Sequence, residues 1–407
     1  MRKPESSIPK PLTAAFDRGP ARHFHGRTRI LHNFKELLER AIQAKDGTTF
    51  LVQGAPGAGK TALLSECEKY ALESGWGVAS IPPHALWDPG ALLHGLGGGK
   101  RLRIAGGSGK VGFDAVVKVE AELDFAVNQQ NRTVLEILEE GKKPLLLMLD
   151  EAQVLGMIDI PSSDRWVVTS VLNSIHNGGL GRPVILLAAG LGMTLKSFES
   201  LGVSRFSRKC FMQLGALSNE AERAVIRDWL TKDGGAKGDP NVWIDAISQE
   251  TSGWPHHILS YVDPAAVDQL KADGGSMTTD GLNAVLEVGR EGCKAYYRER
   301  LYGFPEEERQ SLAKAFANVS LGESTTRSAI VSTLTQDIGS DKAEDLFNRA
   351  WNKGLLDERD GRYVIPIPSM QDWLVTNYTR EKIKFPQEPQ PIRNLNKPNP
   401  GTDLSGR

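Results

Sequence analysis

The chain has 407 residues, a formal net charge of −1 and a hydrophobic fraction of 40%. This length predicts two or three domains, and the apolar content is sufficient for ordinary packed cores. The near-zero charge excludes a globally basic protein, so any contact with nucleic acid must come from a local patch.

Cysteine usage and hydropathy narrow the class of protein further. The three cysteines are far apart and form no CxxC pair, which argues against a disulfide framework or a zinc site. No apolar stretch approaches the ~18 residues needed to span a membrane. No apolar run follows the first residues, which argues against a secretory signal. We therefore expect a cytoplasmic protein without a membrane segment.

The first elements alternate between helix and strand. Residues 1–23 are polar and carry four prolines, so we expect a flexible arm. Apolar residues at helical spacing between positions 30 and 42 predict a helix, which Asp46-Gly47 ends. A short buried strand is predicted at 48–53, a helix at 62–72 and a second strand at 77–81.

The motif GAPGAGKT at 54–61 directly follows the first predicted strand. Its glycines let successive backbone N–H groups point at phosphate oxygens, and the helix that starts at Lys60 adds its positive end. Lys60 would contact the β- and γ-phosphates, and Thr61 would supply a hydroxyl to Mg²⁺. The predicted ATP-binding residues are Gly54, Ala55, Pro56, Gly57, Ala58, Gly59, Lys60, Thr61 and Ala62.

Residues 95–112 contain eight glycines and four basic residues, with Lys118 just beyond. We interpret them as an insertion loop within the nucleotide-binding core, and the alternation at 111–122 as a strand or hairpin. Two roles stay open for the loop. It is either a solvated flexible loop or a contact to a phosphate backbone or a neighbouring subunit.

Two acidic residues at the end of another predicted strand complete the predicted site. The apolar run at 145–149 (LLLML) is typical of a central parallel strand and ends at Asp150 and Glu151. Ligands of open α/β sheets bind at this end of the strands. Asp150 is expected to support Mg²⁺, and Glu151 to activate the attacking water as a general base.

The remaining elements predict the domain order. A helix at 166–176 and a strand at 183–189 extend the α/β core over 24–215. Mainly helical sequence follows at 216–303, where Ser218 is suited to cap the first helix. Three helices (305–319, 325–335 and 342–353) and a hairpin (355–367) predict a winged-helix domain at 304–378, and residues 379–407 a disordered tail. The predicted fold is thus a parallel P-loop sheet flanked by helices, followed by a helical lid and a winged-helix domain.

These motifs resemble those of the AAA+ ATPases. GAPGAGKT resembles Walker A, LLLMLDEAQ resembles Walker B, and the segment 24–27 (FHGR) resembles the stretch that borders the adenine pocket, which makes Arg27 a candidate nucleotide contact. The strand at 183–189 takes the place of the sensor 1 strand. The polar residue often found there is absent, and Thr194 is the nearest polar candidate.

The resemblance also implies residues that act between subunits or from the lid. Ser204-Arg205-Phe206 resembles the segment that carries an arginine finger, which implies Arg205 as the finger, with Arg208 second, acting in a self-associated assembly. The turn before His256 resembles the sensor 2 turn, where many members have an arginine. His256 or His257 stands there instead, and the charge of histidine depends on its surroundings.

Several uses of such an ATPase remain open. The order of core, lid and winged helix resembles the origin-recognition and initiator ATPases, which implies a DNA-associated regulator or loader. Some signalling ATPases of the STAND group share this order, which implies instead a switch that acts on a protein partner. The balanced charges of the helix at 342–353 favour this alternative, because helices that enter a DNA groove usually carry net positive charge. A scaffold without turnover is a third alternative, against which the Asp150-Glu151 pair argues.

Overall fold

A five-stranded parallel sheet organises the first half of the protein. Its strands are β1 (Thr48–Gly54), β2 (Gly77–Ser80), β3 (Leu145–Leu149), β4 (Val184–Gly190) and β5 (Phe211–Leu214). They lie in the order β2-β3-β4-β1-β5, and every pairing is parallel. The predicted parallel α/β sheet is confirmed.

The computed structural model describes residues 21–97, 133–158 and 160–379. Most of the predicted arm at 1–23, most of the insertion loop at 95–112 and the whole of the 111–122 segment lie outside these ranges. All but the first residue of the predicted tail at 379–407 also lies outside them.

Helices cover the sheet on both faces. They are α1 (Thr28–Ala44), α2 (Lys60–Glu73), α3 (Pro89–Gly97), α4 (Val134–Glu140), α5 (Ser162–His176) and α6 (Thr194–Ser200). Met148 of β3 lies in the same apolar core as Phe34 of α1, whereas Leu147 lies in a second core with Val171 of α5. Since side chains alternate along a strand, these two cores lie on opposite faces of the sheet. Every residue of β3 and β4 is buried, as expected for central strands.

A mainly helical segment follows the sheet, and we refer to it as the lid. Its helices are α7 (Asn219–Asp228), α8 (Asn241–Thr251), α9 (Pro255–Tyr261), α10 (Val267–Ala272) and α11 (Thr279–Arg300). The Ser218 hydroxyl accepts the N–H of Ala221 at 3.3 Å, so the predicted cap is confirmed. The Glu222 carboxylate, which is buried, accepts the N–H of Gly253 at 2.6 Å. This bond fixes the turn that presents α9 to the phosphate loop.

The last described segment contains the three predicted helices and the hairpin. Its elements are α12 (Glu306–Ala317), β6 (Ser324–Thr325), α13 (Arg327–Ile338), α14 (Ser340–Asn352), β7 (Asp357–Arg359), β8 (Arg362–Val364) and α15 (Pro368–Tyr378). The strands pair antiparallel in the order β6-β8-β7, and the hairpin turns at Asp360-Gly361 as predicted. The sequence patterns had not indicated α15. Its assignment as a winged helix, like the domain boundaries, remains a prediction.

None of the helices in the described ranges combines the length and the apolar character that crossing a membrane requires.

Candidate functional site

The phosphate loop joins the carboxyl end of β1 to the start of α2. Gly57 and Gly59 have φ values of 75° and 87°, which glycine adopts without steric penalty. A Cβ atom on Gly57 would lie 2.7 Å from the Cβ atom of His256, so this position has no room for a side chain. Ala55 and Ala58 are buried. The loop leads into the N-terminus of α2, whose positive end favours a bound phosphate.

Lys60 begins α2, and its side chain folds back along the loop. Its ammonium group donates to the carbonyl oxygens of Gly54 at 2.9 Å and Ala55 at 3.3 Å. Lys60 is only 8% exposed, and burial lowers its pKa, an effect that the carboxylates of Glu151 and Asp150 oppose. An ammonium group has three donors, so this buried cation retains the capacity to bind a phosphate oxygen.

Thr61 and Asp150 meet beside Lys60. The Thr61 hydroxyl donates to Oδ2 of Asp150 at 2.9 Å. Asp150 directly follows β3, which places it at the carboxyl edge of the sheet. Hydroxyl and carboxylate oxygens are hard ligands of the kind Mg²⁺ takes together with substrate phosphates. The two residues thus fit a magnesium ion bound with a nucleotide, and they are the ones that would hold it.

Glu151 is held by a residue that the sequence analysis had not singled out. Glu151 has φ of 56°, and its side chain is exposed. Its Oε2 atom accepts a hydrogen bond of 2.7 Å from Nε2 of Gln153. Oε1 of Gln153 in turn accepts the N–H of Leu191 at 3.0 Å. Gln153 therefore connects the predicted general base to the end of β4.

Thr194, the predicted candidate for the sensor 1 place, makes a different contact. Its hydroxyl is fully buried and donates to the carbonyl oxygen of Leu191 at 2.6 Å. That bond closes the turn at the start of α6. Gln153, rather than Thr194, is the polar side chain between the end of β4 and Glu151. The sequence signal that could have identified it is a glutamine two residues after the acidic pair, on a turn that follows a buried strand.

Arg27 lies at the edge of the phosphate loop. Its guanidinium donates to the carbonyl oxygens of Ala58 at 3.2 Å, Gly215 at 2.5 Å and Ala216 at 3.4 Å. Burial lowers its pKa from the usual value. Arg27 thus ties the phosphate loop to the chain that leaves β5, and its contact with a nucleotide remains a prediction.

The lid contacts the phosphate loop through α9 and α11. The backbone N–H of His256 donates to the carbonyl of Gly57 at 3.2 Å, and the Tyr296 hydroxyl donates to the carbonyl of Pro56 at 2.8 Å. The His256 ring stacks on the Tyr296 ring with centroids 4.0 Å apart. Burial, helped by the positive charge of Arg300, lowers the pKa of His256 to about 4. His256 is therefore neutral at pH 7 and carries no charge for a phosphate.

Two further lid residues, His257 and Arg300, differ in whether they carry positive charge near the phosphate loop. His257 is buried, and burial lowers its pKa to about 3, so it too is neutral. Arg300, at the end of α11, lies over the Tyr296 ring at 5.6 Å, and its charge lowers the pKa of Lys60. Arg300 is a lid cation close enough to the phosphate loop to act on Lys60, and no sequence pattern had indicated it.

The C-terminal segment reaches the same site. A Cβ atom on Gly354 would lie 2.5 Å from Cδ of Pro56, so the Gly354 backbone is in close contact with the Pro56 ring. At the end of β1, Nε2 of Gln53 donates to Oδ1 of the buried Asp357 at 3.1 Å. The hairpin that begins with β7 is thus packed against the carboxyl edge of the sheet.

Arg205 and Arg208 are set apart from these residues. Both are exposed, and Arg205 has φ of 68°. Its neighbour Phe206 packs on the His176 ring with centroids 5.0 Å apart, which fixes the turn that presents Arg205. Arg208 lines a cavity between α6, β5 and the C-terminal hairpin. In the described part of the chain, no hydrogen bond or ion pair joins either arginine to the phosphate loop, Asp150 or Glu151.

Comparisons with known proteins agree with this architecture. No protein-family model and no curated protein sequence matches the chain. Among solved structures, the Walker-type ATPase PABY2304 of Pyrococcus abyssi is similar with a TM-score of 0.56 and 16% identity, over 88% of this chain and 99% of that one. The ORC2 protein of Aeropyrum pernix, in its ADPNP–ADP complexes, is similar with a TM-score of 0.52 and 15% identity, over 89% and 95% of the two chains.

The ADP form of the Aeropyrum pernix ORC2 protein gives the same TM-score of 0.52 at 13% identity, over 91% of this chain and 99% of that one. At such identities the likeness concerns the fold. It extends over nearly the whole length of both proteins, and so includes the sheet, the lid and the C-terminal segment. The chain therefore shares the fold of these solved structures.

Proposed function

We propose that the chain binds Mg²⁺–ATP at the phosphate loop and hydrolyses it to ADP and phosphate. The observation that carries this proposal is the 2.9 Å hydrogen bond between Thr61 and Asp150, beside the buried Lys60. It joins residues 89 positions apart, one from a helix start and one from a strand end. A glycine turn without a phosphate ligand would not require this arrangement.

Each residue has a distinct role in the proposed reaction. The loop N–H groups and Lys60 bind the β- and γ-phosphates, and Thr61 and Asp150 would hold a magnesium ion, which would offset phosphate charge. Glu151 accepts a proton from a water molecule whose oxygen attacks the γ-phosphorus. The bond from that phosphorus to the bridging oxygen breaks, and ADP leaves with the electron pair.

Contacts on the outer side of the phosphate loop support a conformational change of the lid and the C-terminal segment in response to nucleotide. The Tyr296 hydroxyl of the lid and Gly354 of the C-terminal segment both contact Pro56. A nucleotide that orders the loop shifts the energies of both contacts, so its binding and hydrolysis change the orientation of the lid and the C-terminal segment. Arg300 of α11 contributes positive charge from the lid to the phosphates.

Self-association is part of the proposal. Arg205 stands exposed on a turn anchored by Phe206, and its positive φ is uncommon for a residue other than glycine. An arginine presented in this way is suited to reach the γ-phosphate in a neighbouring subunit. ATP-dependent assembly would thus complete the site.

We place this cycle in a DNA-associated regulator or loader, supported by the initiator-type fold and by the basic glycine-rich segment at 95–112. A protein partner is the second candidate, and charge pairing in the C-terminal segment favours it. Arg349 forms ion pairs with Glu308 and Asp345, and Arg327 pairs with Glu344. These arginines are neutralised within the chain, which reduces the charge available for DNA phosphates.

The experiment is phosphate release from Mg²⁺–ATP at increasing protein concentration, with and without duplex DNA. Glu151→Gln is the test variant, and Glu139→Gln, an exposed acid on α4, is the control. Turnover that rises with concentration and with DNA, and is lost only in Glu151→Gln, supports a DNA-coupled ATPase. Turnover indifferent to DNA supports the protein-partner alternative. No turnover under any condition would refute the catalytic proposal.

A further inference from the structure

We infer that Gln153 is a positioning residue that orients the Glu151 carboxylate for catalysis; the inference rests on the proposed ATPase function. Gln153 is 6% exposed, and both ends of its amide are engaged. Nε2 donates to Oε2 of Glu151 at 2.7 Å, and Oε1 accepts the N–H of Leu191 at 3.0 Å. A single side chain thus connects the turn after β3 to the end of β4.

The chemistry of the amide suits this position. A carboxamide offers a donor and an acceptor on one planar group, so it can bind a carboxylate and a backbone N–H at the same time. A carboxylate offers only acceptors, and an apolar side chain of the same size offers neither. Glutamine is therefore the residue of this length that satisfies both neighbours.

The surroundings hold the amide in place. The backbone carbonyl of Gln153 accepts the Ser197 hydroxyl at 3.2 Å, which ties its turn to α6. A Cβ atom on Gly190 would lie 2.5 Å from Oε1 of Gln153, so the end of β4 approaches the amide closely because residue 190 has no side chain. Gln153 therefore contacts both the end of β4 and Glu151.

This arrangement matters because, among the residues that the structure describes, the Glu151 carboxylate has a side-chain hydrogen bond from Gln153 alone. Its side chain is exposed, and an exposed glutamate samples many rotamers. The bond from Gln153 occupies Oε2 and restricts the orientation of the carboxylate, which leaves Oε1 for the attacking water. The polar side chain that the sensor 1 strand lacks is thus replaced by one from the turn after β3.

The test compares Gln153→Met, which keeps the size but loses both bonds, with Gln153→Glu, which keeps an acceptor but repels Glu151. Losses of outer residues that orient a reacting group typically cost about tenfold to a hundredfold, and we expect kcat to fall by about that factor in both variants. We expect KM and the Kd of a non-hydrolysed ATP analogue to stay close to the wild-type values. Tm should fall in both variants, because the Leu191 N–H loses its acceptor in Gln153→Met and a charge is buried in Gln153→Glu.

The deciding measurement is a double-mutant cycle under single-turnover conditions. If Gln153 acts through Glu151, adding Gln153→Met to Glu151→Gln should cause little further loss of rate. Equal losses in both backgrounds, or a loss of affinity that accounts for the rate, would assign Gln153 a merely structural role and overturn the inference.

The proposed function and this inference fail in different ways. Turnover that disappears in Glu151→Gln but is unchanged in both Gln153 variants overturns only the inference. Wild-type protein without turnover overturns both.

Discussion

Asp357 of the C-terminal hairpin accepts a hydrogen bond of 3.1 Å from the side chain of Gln53, which lies 304 residues earlier in the chain. Asp357 is 1% exposed, and burial raises the pKa of its carboxyl group. Its negative charge acts on Lys60 in the same direction as the charges of Asp150 and Glu151. A carboxylate in this position opposes the binding of further negative charge at the phosphate loop.

We therefore expect Asp357→Asn to tighten Mg²⁺–ATP binding. The substitution keeps the oxygen that faces Gln53 but removes the charge, an effect on the order of 1 kcal/mol, or about fivefold in Kd. Isothermal titration calorimetry would measure it. Asp360→Asn, in the exposed turn of the same hairpin, is the matched control, and equal affinities for the two variants would contradict the electrostatic argument.

Lys60→Met should separate stability from nucleotide binding. Removing a buried cation should not lower the Tm of the protein alone, because the ammonium is costly to bury. Mg²⁺–ATP at a concentration of a hundred times its Kd should raise the free energy of unfolding of the wild type by about 2.7 kcal/mol. This stabilisation should disappear in Lys60→Met, together with turnover. Thermal denaturation with and without Mg²⁺–ATP measures both effects. Lys69→Met, on the exposed side of α2, should retain them, and a ligand-dependent Tm shift in Lys60→Met would count against the site.

The pH dependence of stability should report the contact between lid and loop. The pKa of His256 is about 4 in the folded protein, below its value of about 6.5 in an unfolded chain. Because the pKa of His256 is lower in the folded protein, neutral His256 contributes to the free energy of unfolding. This contribution is complete above pH 6.5 and is lost as pH falls toward 4. At about 1.4 kcal/mol per pKa unit, the loss should reach about 3 kcal/mol.

Denaturant unfolding from pH 7.5 to pH 4 would test this expectation. His256→Phe keeps a ring to stack on Tyr296 but cannot be protonated, so its stability should depend less on pH than that of the wild type. His32→Asn alters an exposed histidine and should leave the wild-type slope unchanged. Equal slopes for wild type and His256→Phe would show that the lid does not hold a neutral imidazole.

Arg205→Ala should abolish turnover without weakening ATP binding, because a finger acts only on the charge that develops during the reaction. Such residues typically contribute about 10³-fold or more. Mixing Arg205→Ala with Glu151→Gln should restore part of the activity, since some mixed interfaces combine an intact finger with an intact base. Arg208→Ala is the control for a neighbouring exposed cation. Activity no greater than the sum of the separate variants would exclude action between subunits.

Local sequence patterns predicted the elements that depend on nearby residues. The strand at 145–149 could be predicted because five consecutive apolar residues suit a position covered on both faces of a sheet. Ser218 could be predicted as a cap because its partner is three residues away. The carboxyl ends of parallel strands share an edge, so the proximity of Asp150 to Thr61 also followed from topology.

Contacts between distant segments could not be predicted in the same way. Gln153 depends on an N–H that is 38 residues away, and Asp357 on a side chain of β1. His256 was expected near the phosphates, but its protonation state follows from burial against Tyr296 and from the charge of Arg300, which only the folded lid reveals. α15 lacked a clear apolar period, and its packing against the rest of the C-terminal segment defines it.

The contacts of Pro56 affect which fragments of this protein are suitable for nucleotide-binding measurements. Its carbonyl accepts the Tyr296 hydroxyl, and its ring lies against Gly354. A fragment that ends near residue 303 would keep every residue predicted to bind nucleotide, yet it would expose the outer side of the loop to water. Affinities measured on such a fragment would therefore describe a loop without the contact between Pro56 and Gly354.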